Sequence, residues 1–365
     1  MSDIVLAVLS VIVVWQNGCS SRCLSLFAKK EERRGDAADH QPFVTVIIPV
    51  YNEAAMIERK LREVVSFTYH SHEVLFADAS DDGTSLFIDM LGDPRVRRLP
   101  CVRGRARQLN TALAFAKGEV VIVTDVDGVL PADVIEKTLR AFDASTGLVS
   151  CRVGQPYACG VDRAFWAFQE AMRDAESSVG CVPVASGVFY AFRRSLLAAI
   201  PEDVWADDIY IPFVVNTSGY CCRRAEGLVA EELRAPKKLG ELFRSKVRKA
   251  SDNIKESLRL FPAVVCCDRR VWQYVFFNRS AALLSGPFVF TGWVTVWGFV
   301  GFPFAPQLGV TFVIVVLCTE VVLRRRRSSF SVAHAAGAFV MTHLSLVCAL
   351  ACRVLGEKRF SGYAR

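Results

Sequence analysis

The 365-residue sequence carries 13 cysteines, yet it has no paired Cys-x2-Cys stretches and no Cys/His group at zinc-site spacing. A structural zinc site needs four such ligands, so the cysteines do not read as metal ligands. The adjacent pairs Cys221–Cys222 and Cys266–Cys267 suit disulfide geometry poorly. Reduced, structural cysteines in a cytosolic domain are therefore the expectation. Internal repeats and low-complexity linkers are also missing. The apolar C-terminal stretches hold few of the charges that mark an ion path. Glu320, their main ionisable residue, lies close to Arg324–Arg327. A transporter or channel is set aside on that ground.

What the chain has in excess is apolar surface. Hydrophobic residues make up 52 % of it, and mean hydropathy is +0.29. The excess is concentrated at residues 4–15 and 281–351. This predicts a soluble middle flanked by membrane segments. Residues 4–15 are short for a span, which takes about 20 residues. No basic residue precedes them, which argues against a signal peptide. Lys29, Lys30, Arg33 and Arg34 follow, placing the next domain on the cytosolic side. Residues 281–323 read as two spans turning near Pro303–Gln307, and about 330–352 as a further apolar helix. Residues 263–278 mix aromatics and charges and suit the interface. Three spans conflict with the basic tail at Arg353, Lys358, Arg359 and Arg365; one segment is re-entrant or interfacial. Net charge is +7. Two of the basic clusters flank apolar segments, so anionic lipid headgroups explain them better than nucleic acid does.

Between residues 41 and 262 short apolar runs alternate with amphipathic stretches. Strands are predicted at 43–51, 73–78 and 119–125, with helices at 54–67, 82–91 and 105–116. Such alternation predicts an α/β domain on a largely parallel sheet. Ligands of such sheets bind beyond the carboxyl ends of the strands, and Tyr51, Glu53, Asp78, Asp125 and Asp127 all follow those ends.

Five stretches carry chemistry. TDVDG (124–128) offers two carboxylates that can leave a strand end together and grip Mg2+ or Mn2+; D-x-D alone is also a common turn or cap. Asp78, in LFADASDDGT, can accept from a nucleobase imide, while Asp81 or Asp82 caps the next helix. RGRARQLNTAL (103–113) suits a diphosphate at a helix start or forms a solvated basic face. WADDIYIP (205–212) sets Asp207 and Asp208 beside aromatic and apolar residues, where a carboxyl pKa rises towards that of a general base; a helix cap is the plain alternative. FRSKVRKASDN (243–253) meets either a diphosphate or the membrane surface.

PVYNE (49–53), ADASDDGT (77–84), RGRARQLNTALAFAKGE (103–119), TDVDG, SGVFYAFRRSLL (186–197), ADDIYIP and FRSKVRKASDN occur in that order. Together they resemble glycosyltransferase family 2, and more narrowly its membrane-bound, cellulose-synthase-like branch, over about residues 43–260. The resemblance implies a GT-A fold, a Rossmann-like nucleotide-diphospho-sugar transferase domain, at 43–262. Around it would lie an anchor at 1–28, a basic linker at 29–42, and an interfacial segment with transmembrane helices at 263–365. It implies an inverting transfer from a nucleotide sugar, a UDP-sugar by expectation, to a polysaccharide or lipid acceptor at the plasma or inner membrane. Pro49, Tyr51, Glu53 and Asp78 would contact the nucleoside, Arg105 and Arg248 the diphosphate, and Asp125 and Asp127 the metal and diphosphate. Asp208, with Asp207 beside it, would supply the base. A single in-line displacement needs no Ser or Cys nucleophile. The Q-x-x-R-W motif of processive members is absent: the stretch reads SKVRK. The alternative is a non-catalytic membrane protein that keeps the fold to bind a nucleotide sugar or a partner.

Overall fold

The computed structural model describes residues 41–280, except 235 and 237, and residues 332–355. The expected anchor at 1–28, nearly all of the basic linker and the two spans at 281–323 lie outside the described residues.

The first half of the domain follows its apolar pattern. Strand β1 (Val44–Val50) is buried along its whole length, as are β4 (Val120–Thr124) and nearly all of β2 (His72–Asp78). Strands covered on both faces read as unbroken apolar runs. Between them lie α1 (Ile57–Val65), α2 (Thr84–Asp89) and α3 (Arg105–Phe115). All three helices match the pattern in the sequence. A short edge strand, β3 (Val96–Pro100), was not expected; Arg97 is exposed, while Arg98 is half-buried and pairs with Asp89 at 2.7 Å.

Beyond Thr124 the chain adds β5 (Gly128–Val129), α4 (Val134–Leu139), β6 (Thr146–Gly154), α5 (Gly160–Ser178), β7 (Phe189–Arg193), α6 (Asp207–Thr217), β8 (Cys221–Glu232) and α7 (Leu239–Val265). The eight strands form one sheet in the order β3-β2-β1-β4-β7-β6-β8-β5. Pairings β1–β2, β1–β4, β2–β3 and β6–β8 are parallel, whereas β4–β7, β6–β7 and the short β5–β8 are antiparallel. The sheet is thus largely parallel, as expected, with β7 running against its neighbours at the centre and β5 at one edge. Strand β7 is buried on both faces like β4, so its direction leaves no mark on its composition.

Two apolar layers cover the sheet, one centred on Val46, Ile48 and Phe76, the other on Ile47, Leu75 and Tyr190. Gln108 lies within the second layer. It is only 5 % exposed, and its amide donates to the carbonyls of Val50 (2.8 Å) and Ala77 (2.7 Å). One side chain thereby fixes the carboxyl ends of β1 and β2, where the chain turns into the rim of the sheet.

The apolar helix expected near 330–352 is present as α8 (Val332–Leu355). It packs against α5 and α7, with Leu346 and Ala349 on Ala250 and Ile254. Its polar residues His343 and Ser345 are buried. Among the described residues no helix is long and apolar enough to cross a membrane, so the expected flanking spans find no support there. The ten described cysteines are all free.

Replacing Gln108 with Met keeps the volume but removes both donated hydrogen bonds from buried carbonyls. A loss of about 2 kcal/mol of stability is expected, read as a lower denaturation midpoint.

Candidate active site

A cleft of 1560 Å³ opens at the carboxyl rim of β1 and β4, between the sheet and helices α5, α7 and α8. Pro49, Tyr51, Glu53, Arg105, Asp125, Asp127, Asp207, Asp208 and Arg248 all line it. Residues spread over 200 positions of sequence meet here because β1 and β4 are neighbours and β7 brings α6 back to the same edge.

Asp125 and Asp127 leave the sheet directly after β4. The turn closes through Gly128 N–H, which donates to the Asp125 carbonyl at 3.2 Å. Burial, reinforced by the nearby charges of Asp125 and Glu232, pushes the Asp127 carboxyl up to about 6. Crowded carboxylates of this kind are stabilised by a cation. Among the described residues, however, no group of three or more His, Cys, Asp or Glu side chains converges to hold a metal unaided. The protein offers two hard oxygen ligands, so a hard dication held here would draw its remaining ligands from a bound molecule or water.

Arg105 joins the two acidic groups. Gly104, with φ 138°, turns the chain into α3 in a backbone region open to glycine, and Arg105 is the first residue of that helix. Its Nη1 pairs with Asp125, and its Nε lies 3.4 Å from Asp207 Oδ2. Burial opposes the charge, but the two carboxylates outweigh it and hold Arg105 well above its ordinary pKa.

Asp207 and Asp208 begin α6, yet no side-chain cap is formed there. Asp207 is only 8 % exposed and accepts from Arg105 and from the Tyr190 hydroxyl. Burial and then Asp207 raise the Tyr190 pKa well above its usual value, so Tyr190 stays a phenol donor. Among the described residues no hydrogen bond or ion pair engages the Asp208 carboxylate. Burial, followed by the adjacent charge of Asp207, lifts Asp208 to about 7. The two neighbours thus separate: Asp207 is held as an acceptor, while Asp208 is poised to exchange a proton near neutrality.

On the other side of the cleft the PVYNE stretch forms a tight corner. Asn52 takes φ 53°; its N–H donates to Ser80 Oγ, and its side-chain oxygen accepts from Asp81 N–H at 3.0 Å. Arg103 stacks over the Tyr51 ring at 4.2 Å. Asp78 stands apart from this group and does not line the cleft. Its carboxylate is 3 % exposed and already satisfied, accepting from Ser80 N–H at 3.0 Å and from the Ser85 hydroxyl. Asp82 accepts from Thr84 N–H at 3.1 Å in the turn before α2, whose cap residue is Gly83.

Sequence reasoning missed several lining residues. Arg234, just past β8, pairs with both oxygens of Glu53, Nη1 to Oε1 at 3.0 Å. Gln155, Arg173 and Glu232 also face the cleft. Tyr190 lies in a stretch that belongs to the ordered motifs, but nothing local marks it out from the other aromatics of its strand.

The raised Asp208 pKa has a consequence for stability. A carboxyl whose pKa is higher folded than unfolded favours the fold while protonated, and that contribution is lost as pH rises from the ordinary carboxyl range through about 7. Asp208→Asn is therefore expected to raise Tm relative to the unsubstituted protein at pH 8, with the gain shrinking steadily as pH falls from 7 towards 4. A gain that does not change with pH would contradict the burial of this charge.

The glycosyl transferase family 2 model matches residues 45–200. An N-acetylglucosaminyltransferase of Rhizobium sp. (strain N33) is 23 % identical over 327 residues, covering 80 % of this chain and 71 % of its own length. A poly-beta-1,6-N-acetyl-D-glucosamine synthase of Staphylococcus epidermidis is 22 % identical; the match covers 67 % of this chain and 63 % of that protein. Among solved structures, the mannosyltransferase PcManGT of Pyrobaculum calidifontis, in complex with GDP-Man and Mn2+, superposes with a TM-score of 0.71. It is 22 % identical, with 97 % of this chain and 99 % of that one aligned. The mixed sheet with its acidic turn at the carboxyl rim is the GT-A fold, and residues 45–200 of this chain match glycosyltransferase family 2.

Proposed function

We propose that the cleft catalyses an inverting, metal-dependent transfer of a sugar from a nucleotide sugar to a glycan or lipid acceptor at a membrane. The observation that carries this reading is the meeting of the acidic turn, Asp125–Asp127, with the Asp207–Asp208 pair in one cleft, joined by Arg105.

The roles follow from the surroundings of each residue. Pro49, Tyr51 and Glu53 form the edge that receives the nucleoside. Asp78 supports that edge from behind by ordering Ser80. Asp125 and Asp127 would hold Mg2+ or Mn2+, with diphosphate oxygens as further ligands; such an ion neutralises charge on the departing nucleoside diphosphate. Arg105 and, from α7, Arg248 add fixed positive charge for the same diphosphate. Asp208 accepts the proton of the acceptor hydroxyl as that oxygen attacks the anomeric carbon from the face opposite the leaving group. Asp207, held by Arg105 and Tyr190, keeps Asp208 basic through its own charge. The mannosyltransferase neighbour holds GDP-Man and Mn2+, and the Rhizobium and Staphylococcus relatives are named for N-acetylglucosaminyl transfer and polymer synthesis. These support the donor class and leave UDP- and GDP-sugars as the first to assay. The apolar excess at 4–15 and 281–323 supports a membrane-bound protein of the cellulose-synthase-like branch with its catalytic domain cytosolic.

The test is nucleotide release by the purified full chain from a panel of UDP- and GDP-sugars, followed by product analysis. Chelation should abolish release, and added Mn2+ or Mg2+ should restore it. Asp208→Asn should lower kcat by roughly 10³-fold, the scale of a lost general base. Release that is indifferent to both Asp125→Asn and Asp208→Asn would remove the proposal. For the unsubstituted enzyme kcat/KM should rise with pH through about 7. Asp207→Asn removes a like charge, so the same limb should move to lower pH.

A further inference from the structure

Directly beneath the acidic turn lies a buried cation that the mechanism above does not use. Lys60 of α1 is 0 % exposed. Its ammonium donates to the Gly128 carbonyl at 3.0 Å and pairs with Glu63 Oε1 at 2.6 Å. Thr124 Oγ1 lies 3.4 Å away. One residue earlier, Arg59 donates through Nη2 to the carbonyls of Val126 and Gly128, the latter at 3.2 Å. Its Nη1 pairs with the second oxygen of Glu63 at 2.9 Å. A single carboxylate thus pairs with both cations, and both also donate to main-chain carbonyls of one turn.

This is costly as mere packing. A buried ion pair is often replaced by apolar side chains without loss of stability. What a leucine here lacks is a hydrogen-bond donor for the turn. The turn's carbonyls are all accounted for: that of Asp125 accepts from Gly128 N–H, that of Asp127 from Leu233 N–H at 3.1 Å, and those of Val126 and Gly128 from α1. With every carbonyl held, the peptide planes around Asp125 and Asp127 have one orientation.

We propose that Arg59 and Lys60 are positioning residues, which hold the Val126 and Gly128 carbonyls and so set Asp125 and Asp127 for a divalent cation and diphosphate. The inference rests on the reading of the cleft given under Proposed function. It makes α1 a mechanical link, because the same helix starts beside Glu53, whose N–H donates to Thr84 Oγ1 at 2.9 Å and whose carboxylate holds Arg234. The nucleoside edge and the acidic turn are thereby fixed to one rigid element.

The experiment is calorimetric titration of UDP and GDP into the full-length protein, with and without Mn2+, together with Tm. The variants are Arg59→Met, Arg59→Lys and Lys60→Met. Arg59→Met and Lys60→Met should weaken Mn2+-dependent nucleotide binding about tenfold and raise the Mn2+ concentration for half-saturation. Arg59→Lys, which keeps a donor, should retain most of the affinity. Binding measured without Mn2+ should stay within twofold. The Arg59 side chain is 29 % exposed, so Arg59→Met carries the test if Lys60→Met does not fold. A fall in Tm with Mn2+-dependent affinity unchanged overturns the inference, since it leaves the cluster a structural role alone. An unsubstituted chain that binds neither nucleotide in the presence of Mn2+ overturns this inference and the proposed function together.

Discussion

One guanidinium organises this cleft. Arg105 lies between Asp125, on the turn after β4, and Asp207, at the start of α6. Without a cation between them, these carboxylates would repel across a partly buried space where water screens little. With it, two elements far apart in sequence share one electrostatic centre. The same interaction explains why Asp207 and Asp208 differ. Asp207 has hydrogen bonds from Arg105 and Tyr190; at Asp208 burial and the charge of Asp207 outweigh the opposing charges of Arg173, Arg105 and Lys249.

The rim of the sheet supplies the rigidity that this arrangement needs. Gln108 ties the ends of β1 and β2, Thr124 Oγ1 donates to the Val188 carbonyl at 2.8 Å, and α1 closes the acidic turn from below. Each of these is a polar side chain spent on main-chain carbonyls. Where a strand gives way to a loop, the carbonyls lose their ladder partners, and buried acceptors must be met by something. At this rim the donors that meet them come largely from α1, α3 and β4, the elements that carry or flank the residues of the cleft.

The first half of the domain was legible because its strands are covered on both faces and its helices are amphipathic, with turn residues between. Strand β3 was not, since an edge strand carrying Arg97 and Arg98 has no apolar run. Nor was the antiparallel placement of β7: a strand buried on both faces has the same composition whichever way it points. The surroundings of Asp78 were hidden for a related reason. Its position after β2 is visible in the sequence, whereas its capture by Ser80 and Ser85 depends on how the next loop folds back. Arg234 escaped notice because its partner, Glu53, lies 181 positions away.

The sequence alone determined the order of elements up to Asp125 (the edge strand β3 excepted), the acidic turn at a strand end and the neighbouring pair Asp207–Asp208. Apolar periodicity and local charge spacing are properties of neighbours along the chain. Only the tertiary structure decided that the two acidic groups share a cleft, that Arg105 bridges them, and which member of the second pair has no hydrogen bond to its carboxylate among the described residues. Proton affinity is set by burial and by charges close in space, and the mixed sheet is what brings those charges together.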